Sequence, residues 1–91
     1  MPLFDLDTTV KTLLEHDLKR KCVWITVKTA GKDVYISDIA GMTNADYKWN
    51  LQKGDMLVID RQNGFPDRAF YGIGDGSVQI LVGFQNEDDK T

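Results

Sequence analysis

After Lys21 apolar residues recur at alternate positions in several short runs, and segments with Gly, Asn or Asp separate these runs. In the segment 22–29, for example, Val23, Ile25 and Val27 occupy alternate positions. Because a strand directs successive side chains to opposite faces, a period of two is typical of strands with one buried face. The pattern predicts antiparallel sheet over most of the chain. The predicted strands are 22–29, 33–39, 46–52, 56–61, 69–74 and 77–84.

Turn residues lie between the members of three pairs of strands, and each of these pairs is expected to form a hairpin. Gly31 lies between the first two strands, and residues 53–55 form the expected loop between the next two. Asp75 and Gly76 suit a two-residue type I′ turn between the last two. The opposed pairs expected from that turn are Ile73 with Val78, Tyr71 with Ile80 and Ala69 with Val82.

Residues 7–21 show a different pattern, since Val10, Leu13, Leu14 and Leu18 would form one apolar stripe on a helix of period 3.6. Such a stripe needs a surface to cover. The sequence therefore predicts an α+β fold. In this fold an N-terminal helix packs on five or six short antiparallel strands, arranged as a meander sheet or a small barrel.

Length and composition fit one soluble domain, because the chain has 91 residues, of which 42% are hydrophobic and 27% charged. We assign this domain to residues 1–85. Residues 86–91 contain three acids and one base, which predicts a flexible acidic tail. No apolar run approaches the ~20 residues that cross a bilayer, and the first residues do not resemble a signal peptide. We expect a cytoplasmic protein with no membrane contact.

Cys22 is the only cysteine and His16 the only histidine, so one chain offers neither an internal disulfide nor a Cys/His zinc site. We expect no metal, no cofactor and no catalytic constellation, and hence a protein that is not an enzyme. An enzyme would need several carboxylates to converge in one cleft. The candidates for such a cleft are Asp33, Asp38, Asp55 and Asp60.

The charge disfavours nucleic acid as a partner, because 11 Lys and Arg against 14 Asp and Glu give a net charge of −3. Affinity for phosphate backbones depends on many cations that displace counterions. A nucleic-acid-binding module resembling a small β-barrel remains the alternative function. The residues that would serve it are Lys19, Arg20, Lys21, Lys28 and Lys32.

Aromatic residues favour a protein partner instead. The alternation places Trp24 and Tyr35 on outward faces of their strands, with Lys28 near Trp24 and Phe65 at a loop tip. Trp and Tyr are enriched in protein interfaces. We predict a small non-catalytic protein–protein interaction module, an adaptor or inhibitor of the kind carried by phages and mobile elements. Its edge strands would also allow two copies to pair as a homodimer.

Two strings in the second half, LQKGDMLVIDR at 51–61 and GDGSVQIL at 74–81, carry a family resemblance. Together they make residues 51–82 resemble the β-domain of the LexA/UmuD-type self-cleaving proteins. That family cuts with a serine, usually followed by methionine, and with a lysine in its last hairpin. Here Gly41 and Met42 stand at the comparable place, and 77–84 contains no lysine. The resemblance therefore implies an inactive relative retained for binding.

Overall fold

The computed structural model of the chain describes residues 3–86, and these residues form strands but no helix. The predicted α+β class is therefore wrong, and the fold is all-β. None of the described residues belongs to a helix long and apolar enough to cross a membrane. The strands are β1 (Leu3–Leu6), β2 (Lys11–Leu14), β3 (Arg20–Val27), β4 (Val34–Ser37), β5 (Trp49–Leu51), β6 (Met56–Asp60), β7 (Phe70–Gly74) and β8 (Val78–Asn86).

The strands form two four-stranded antiparallel sheets. The first sheet has the order β1-β8-β3-β6, and the second has the order β2-β7-β4-β5. Among consecutive strands only β4 and β5 share a sheet, so every other connection carries the chain from one sheet to the other. The last residue of β8, Asn86, was assigned to the tail by the sequence, and residues 87–91 lie outside the described residues.

The core lies between the two sheets, where the inward residues of both form one cluster. In β3 the buried residues Val23, Ile25 and Val27 alternate with the partly exposed Trp24 and Thr26, as the sequence predicts. The other buried members of the cluster are Leu6, Leu13, Leu14, Val34, Ile36, Leu51, Ile59, Phe70, Val78, Ile80 and Val82. Fully burying one such side chain contributes roughly 1.5–3 kcal/mol.

The predicted helix at 7–21 is replaced by turns and by β2. Asp7 Oδ1 accepts the amide of Thr9, and Asp17 Oδ1 accepts the amide of Lys19. These local bonds give the backbone an alternative to helical hydrogen bonds at both ends of the segment. The β-branched residues between positions 8 and 12 also favour a strand over a helix.

The apolar stripe of that predicted helix does not exist in the structure. Leu13 and Leu14 are both buried, while Val10 and Leu18 are 39% and 71% exposed. A bulge between Thr12 and Leu14 shifts the register of β2 against β7, and this lets two adjacent residues enter the core. The two neighbouring leucines suggested a helical period, but in the structure they lie at the bulge of a strand.

The predicted strand positions are confirmed to within three residues at each end, but the predicted hairpin pairs are wrong. β3 and β4 lie in different sheets, and so do β5 and β6, and β7 and β8. β3 pairs instead with β6 and β8, and β7 pairs with β2 and β4.

The turn between β7 and β8 shows why the last hairpin does not form. A type I′ turn needs positive φ at both central residues, and Gly76 has φ 123° whereas Asp75 does not have positive φ. The chain also passes itself closely here, because a Cβ at Gly74 would lie 2.8 Å from the carbonyl oxygen of Gly76. This tight corner directs β8 into the opposite sheet.

Truncation of the leucines tests the bulge in β2. Leu13→Ala and Leu14→Ala are each expected to lower the free energy of unfolding by about 2–4 kcal/mol, because both remove buried methyl groups. Leu18→Ala is expected to change it by no more than about 0.5 kcal/mol, because that side chain is exposed. Urea denaturation measures all three. If Leu18→Ala lowered the free energy of unfolding as much as Leu13→Ala, the register of β2 described here would be wrong.

Candidate interaction surface

The outer face of the first sheet carries two rows of mainly apolar residues that run across its strands. The strand register defines both rows. The first row crosses all four strands and consists of Leu3, Leu81, Thr26 and Met56. The second row consists of Gly83, Trp24 and Val58. We call the large apolar members of the two rows the apolar face, and they are Leu3, Trp24, Met56, Val58 and Leu81.

Three members of the apolar face are well exposed, with Leu3 at 54%, Met56 at 62% and Val58 at 42%. Trp24 and Leu81 are partly exposed and lie between them. Single exposed apolar residues are common on soluble proteins, but a contiguous group marks an interaction site. The grouping on one sheet face, rather than any single exposure, makes this surface the candidate.

Polar rows border the apolar face along both sides. On one side Gln79 lies between Asp5 and Lys28, and its Nε2 donates to Asp5 Oδ1 at 3.3 Å. On the other side Cys22 lies between Gln85 and Asp60. An apolar centre with a polar border is the usual anatomy of a protein interface.

Trp24 lies flat across the neighbouring strand, because its indole covers Gly83. A Cβ at position 83 would overlap the indole nitrogen and the adjoining ring atoms. Glycine therefore creates the space in which the tryptophan rests on the sheet. The ring buries one side and presents the other to solvent, which is the arrangement of a rigid aromatic contact residue.

A double-mutant cycle tests this contact. Gly83→Ala is expected to destabilise the wild-type protein by about 1–3 kcal/mol, because the added methyl group must displace the indole. The same change in a Trp24→Ala background is expected to cost much less, because the overlapping group is gone. Urea denaturation of the four proteins gives the two differences. Equal losses in both backgrounds would show that the indole does not lie on Gly83.

The outer edge of β6 is closed by a side chain. Asn63 Nδ2 donates to the carbonyl oxygen of Val58 at 3.0 Å, and Asn63 Oδ1 accepts the amide of Asp60 at 2.8 Å. A residue of a neighbouring parallel strand would bond to the carbonyl oxygen of Val58 and to the amide of Asp60, on either side of Ile59. The side-chain amide of Asn63 makes these two bonds instead. The amide of Gly64 adds a bond to the carbonyl oxygen of Asp60 at 3.0 Å. This part of the edge is occupied within the chain itself.

The opposite edge of the first sheet carries a similar contact on β1. Lys11 Nζ donates to the carbonyl oxygen of Asp5 at 2.8 Å. Lysine at a sheet edge is a common means of opposing pairing with another chain. Each edge of the first sheet is thus partly occupied by contacts within the chain itself.

The residues predicted to bind a partner are Trp24, Tyr35, Lys28 and Phe65, and the structure does not bring all four together. Trp24 and Lys28 lie on the same face of the first sheet, two steps apart in the alternation. Tyr35 lies in β4, on the outer face of the second sheet. Phe65 lies in the connection between β6 and β7, 54% exposed, with the Arg68 guanidinium 4.2 Å from its ring centre.

The outer face of the second sheet is partly covered by its own chain. Tyr47, from the connection between β4 and β5, lies with its ring centre 4.7 Å from that of Tyr35. Partial burial raises the pKa of Tyr35 above its ordinary value of 10.0, and the carboxylates of Asp33 and Asp75 raise it further. Tyr35 thus packs against Tyr47 on this face, and its predicted role in binding a partner stays a prediction.

The residues of the nucleic-acid alternative are separated by the length of β3. Lys19 and Lys21 lie at its beginning, whereas Lys28 and Lys32 follow its end. Seven residues of extended strand place Lys21 and Lys28 about 23 Å apart. The fifth residue, Arg20, is buried and 3% exposed. These cations do not form one patch.

Arg20 holds two connecting segments together from the inside, the one between β2 and β3 and the one between β6 and β7. Its Nη1 donates to the carbonyl oxygens of Pro66 and Arg68 at 3.1 and 3.0 Å, and its Nη2 donates to that of Glu15 at 2.6 Å. Burial lowers the pKa of its guanidinium below its ordinary value, while Asp17 and Asp67 act in the opposite direction. Its role is structural.

Replacing this guanidinium tests that role. Arg20→Met is expected to lower the free energy of unfolding by about 2–4 kcal/mol, because three buried or partly buried hydrogen bonds lose a charged donor. Lys21→Met is the matched control, and we expect it to change the value by less than about 1 kcal/mol. Thermal and urea denaturation provide the measurement. If both variants lowered the free energy of unfolding by a similar small amount, the structural role of Arg20 would be contradicted.

The carboxylates considered for catalysis have separate local roles. Asp38 is buried and its carboxylate pairs with Lys48 at 3.0 Å and Arg68 at 3.5 Å. Asp33 and Asp55 accept hydrogen bonds from Gln52, and Asp60 accepts the amides of Gln62 and Asn63. Among residues 3–86 no three His, Cys, Asp or Glu residues are grouped to hold a metal ion.

Sequence reasoning missed four members of the apolar face, Leu3, Leu81, Met56 and Val58. A signal for two of them was present, because MLVID has apolar residues at both odd and even positions. A half-buried strand at the edge of a sheet needs only one apolar face. The second apolar face in this strand was therefore the signal of an exposed apolar surface.

Comparisons of the chain with protein-family models, with curated proteins and with solved structures return no match. The resemblance to the LexA/UmuD-type β-domain stays a prediction.

Proposed function

We propose that the protein is a small non-catalytic protein–protein interaction module that binds its partner through the apolar face of the first sheet. The observation that carries this proposal is the pair of apolar rows bordered on both sides by polar rows. Adaptors and inhibitors of this size need one such surface and no reaction centre. A cytoplasmic location belongs to the proposal, because Cys22 is the only cysteine.

The energetic centre of the proposed contact is Trp24. Tryptophan is the residue most enriched among those that dominate binding energies, and such residues lie near the middle of an interface. Trp24 lies in the second row, with Val58 on the neighbouring strand and Met56 one step further along that strand. Covering these exposed side chains removes apolar surface from water, at roughly 25 cal/mol per Å².

Pull-down of partners from a cell lysate tests the proposal, with Trp24→Ala and Tyr35→Ala as a matched pair. The two aromatic residues lie on opposite sheets, so the pair separates the two faces. We expect Trp24→Ala to lose the captured protein and Tyr35→Ala to retain it. Circular dichroism first confirms that both variants are folded.

Nuclease treatment of the same lysate separates a protein partner from a nucleic acid. A partner retained after nuclease treatment and lost with Trp24→Ala supports the apolar face as the site. Capture that needs intact nucleic acid and weakens steeply with salt would establish the alternative function instead. Loss of the partner with Tyr35→Ala alone would move the site to the second sheet.

A photo-crosslinking residue at position 56 gives an independent measurement. Met56 and Leu18 are both highly exposed apolar residues, at 62% and 71%, and only Met56 belongs to the apolar face. We expect crosslinks to the captured protein from position 56 and none from position 18. Equal crosslinking from the two positions would contradict a specific contact at this face.

A further inference from the structure

We infer that the apolar face binds the same face of a second copy of this chain, so that the protein forms a weak two-fold dimer. This inference rests on the proposed function, because it names the occupant of the same surface. Its basis is that the face is complementary to itself in shape and in charge when one copy is turned over onto the other.

The relevant two-fold axis lies in the plane of the interface and runs across the strands, between the two rows. Rotation about such an axis places each row of one copy on the other row of its partner. The resulting opposed residues are Thr26 with Trp24, Leu81 with Gly83, and Met56 with Val58. All six positions follow from the strand register.

Shape complementarity follows from the sizes of these residues. Trp24 faces the smaller Thr26, and Leu81 faces Gly83, a position that the indole of Trp24 already covers. The indole of Trp24 lies over Gly83, so Leu81 of one copy packs on the exposed ring face of the other. An aliphatic side chain packs closely on the face of an aromatic ring.

Charge complementarity follows from the bordering rows, which the same axis exchanges. Lys28 of one copy comes to lie over Cys22 of the second copy, and Asp60 is the strand neighbour of Cys22. The lateral distance between neighbouring strands is about 4.8 Å, within reach of a lysine side chain. At each end of the interface, Lys28 of one copy is therefore near Asp60 of the other copy.

The size of the face sets the strength of the dimer. Four strands about 4.8 Å apart and seven residues of β3 define a face of roughly 400 Å² in projection. Two such faces total roughly 800 Å², which is below the about 1,200–2,000 Å² of stable interfaces and fits only a weak, transient contact. The net charge of −3 on each copy also opposes association. A dissociation constant in the micromolar range is the expected result.

Sedimentation equilibrium over low to high micromolar concentrations tests the inference on the full chain. The weight-average mass is expected to rise from 10.3 kDa toward twice that value. Met56→Lys is expected to weaken the dimer about tenfold or more, because it puts a charge into the interface. Leu18→Lys adds the same charge at an exposed apolar residue outside the face and is expected to leave the dimer unchanged.

Mixing two variants tests the axis itself. Met56→Lys and Val58→Glu each place charges against apolar residues in their own dimers. In a mixed dimer one lysine faces one glutamate, so the equimolar mixture is expected to recover dimer that neither variant forms alone. Circular dichroism confirms that both variants are folded before mixing.

Three results would overturn the inference. They are a wild-type mass that stays at the monomer value, equal weakening by Met56→Lys and Leu18→Lys, and a mixture that recovers no dimer. A monomeric wild type that still captures another protein in a Trp24-dependent manner would overturn the dimer alone. In that case the proposed function would stand with a different partner.

Discussion

Val23, Ile25 and Val27 of β3 are held between the sheets by the antiparallel pairing of β3 with β8. A slip of this pairing by one residue would reverse which side chains of the moving strand face the core. The same register aligns β6 and β1 with the central pair, and so places Met56 and Leu3 in one row with Thr26 and Leu81. The strand register of the first sheet therefore determines both which residues enter the core and which residues form the apolar face.

The first sheet treats its edges and its face differently. At the edges, Asn63 and Lys11 donate to main-chain carbonyl oxygens of Val58 and Asp5. Sheet proteins commonly protect their edges because open strands pair with other chains without selectivity. On the face, by contrast, apolar side chains stay exposed. This division favours contacts selected by side-chain shape over contacts made by the backbone.

The sequence was sufficient to locate the strands after Lys21, because burial on one side of a strand leaves a period of two. It was not sufficient to pair them. An inward residue of β5, such as Leu51, must be apolar in either case. Its partner Ile59 could lie beside it in the same sheet or across the core in the other sheet. Alternation records only which side is buried, so hairpins and crossings between sheets have the same pattern.

The N-terminal segment was misread for a related reason. A bulge in β2 buries both Leu13 and Leu14, and two adjacent apolar residues also occur on a helix. For the candidate surface, the alternation identified Trp24 as an outward residue. The neighbours of Trp24 across the strands were beyond reach, because the row depends on pairings between segments distant in sequence. Gly83 and Val58 become its neighbours only in the folded sheet.

The position of β8 between β1 and β3 has a consequence for how the chain is made. Leu3 pairs with Leu81, and Arg20 pairs with Asn86, so the first sheet lacks its central strand until nearly all of the described chain has left the ribosome. Until then β1 has no strand partner in this sheet, and β3 has only β6. Folds dominated by such distant pairings form slowly. While the protein is being made, its core residues are therefore accessible to chaperones before its last strand, β8, can cover them.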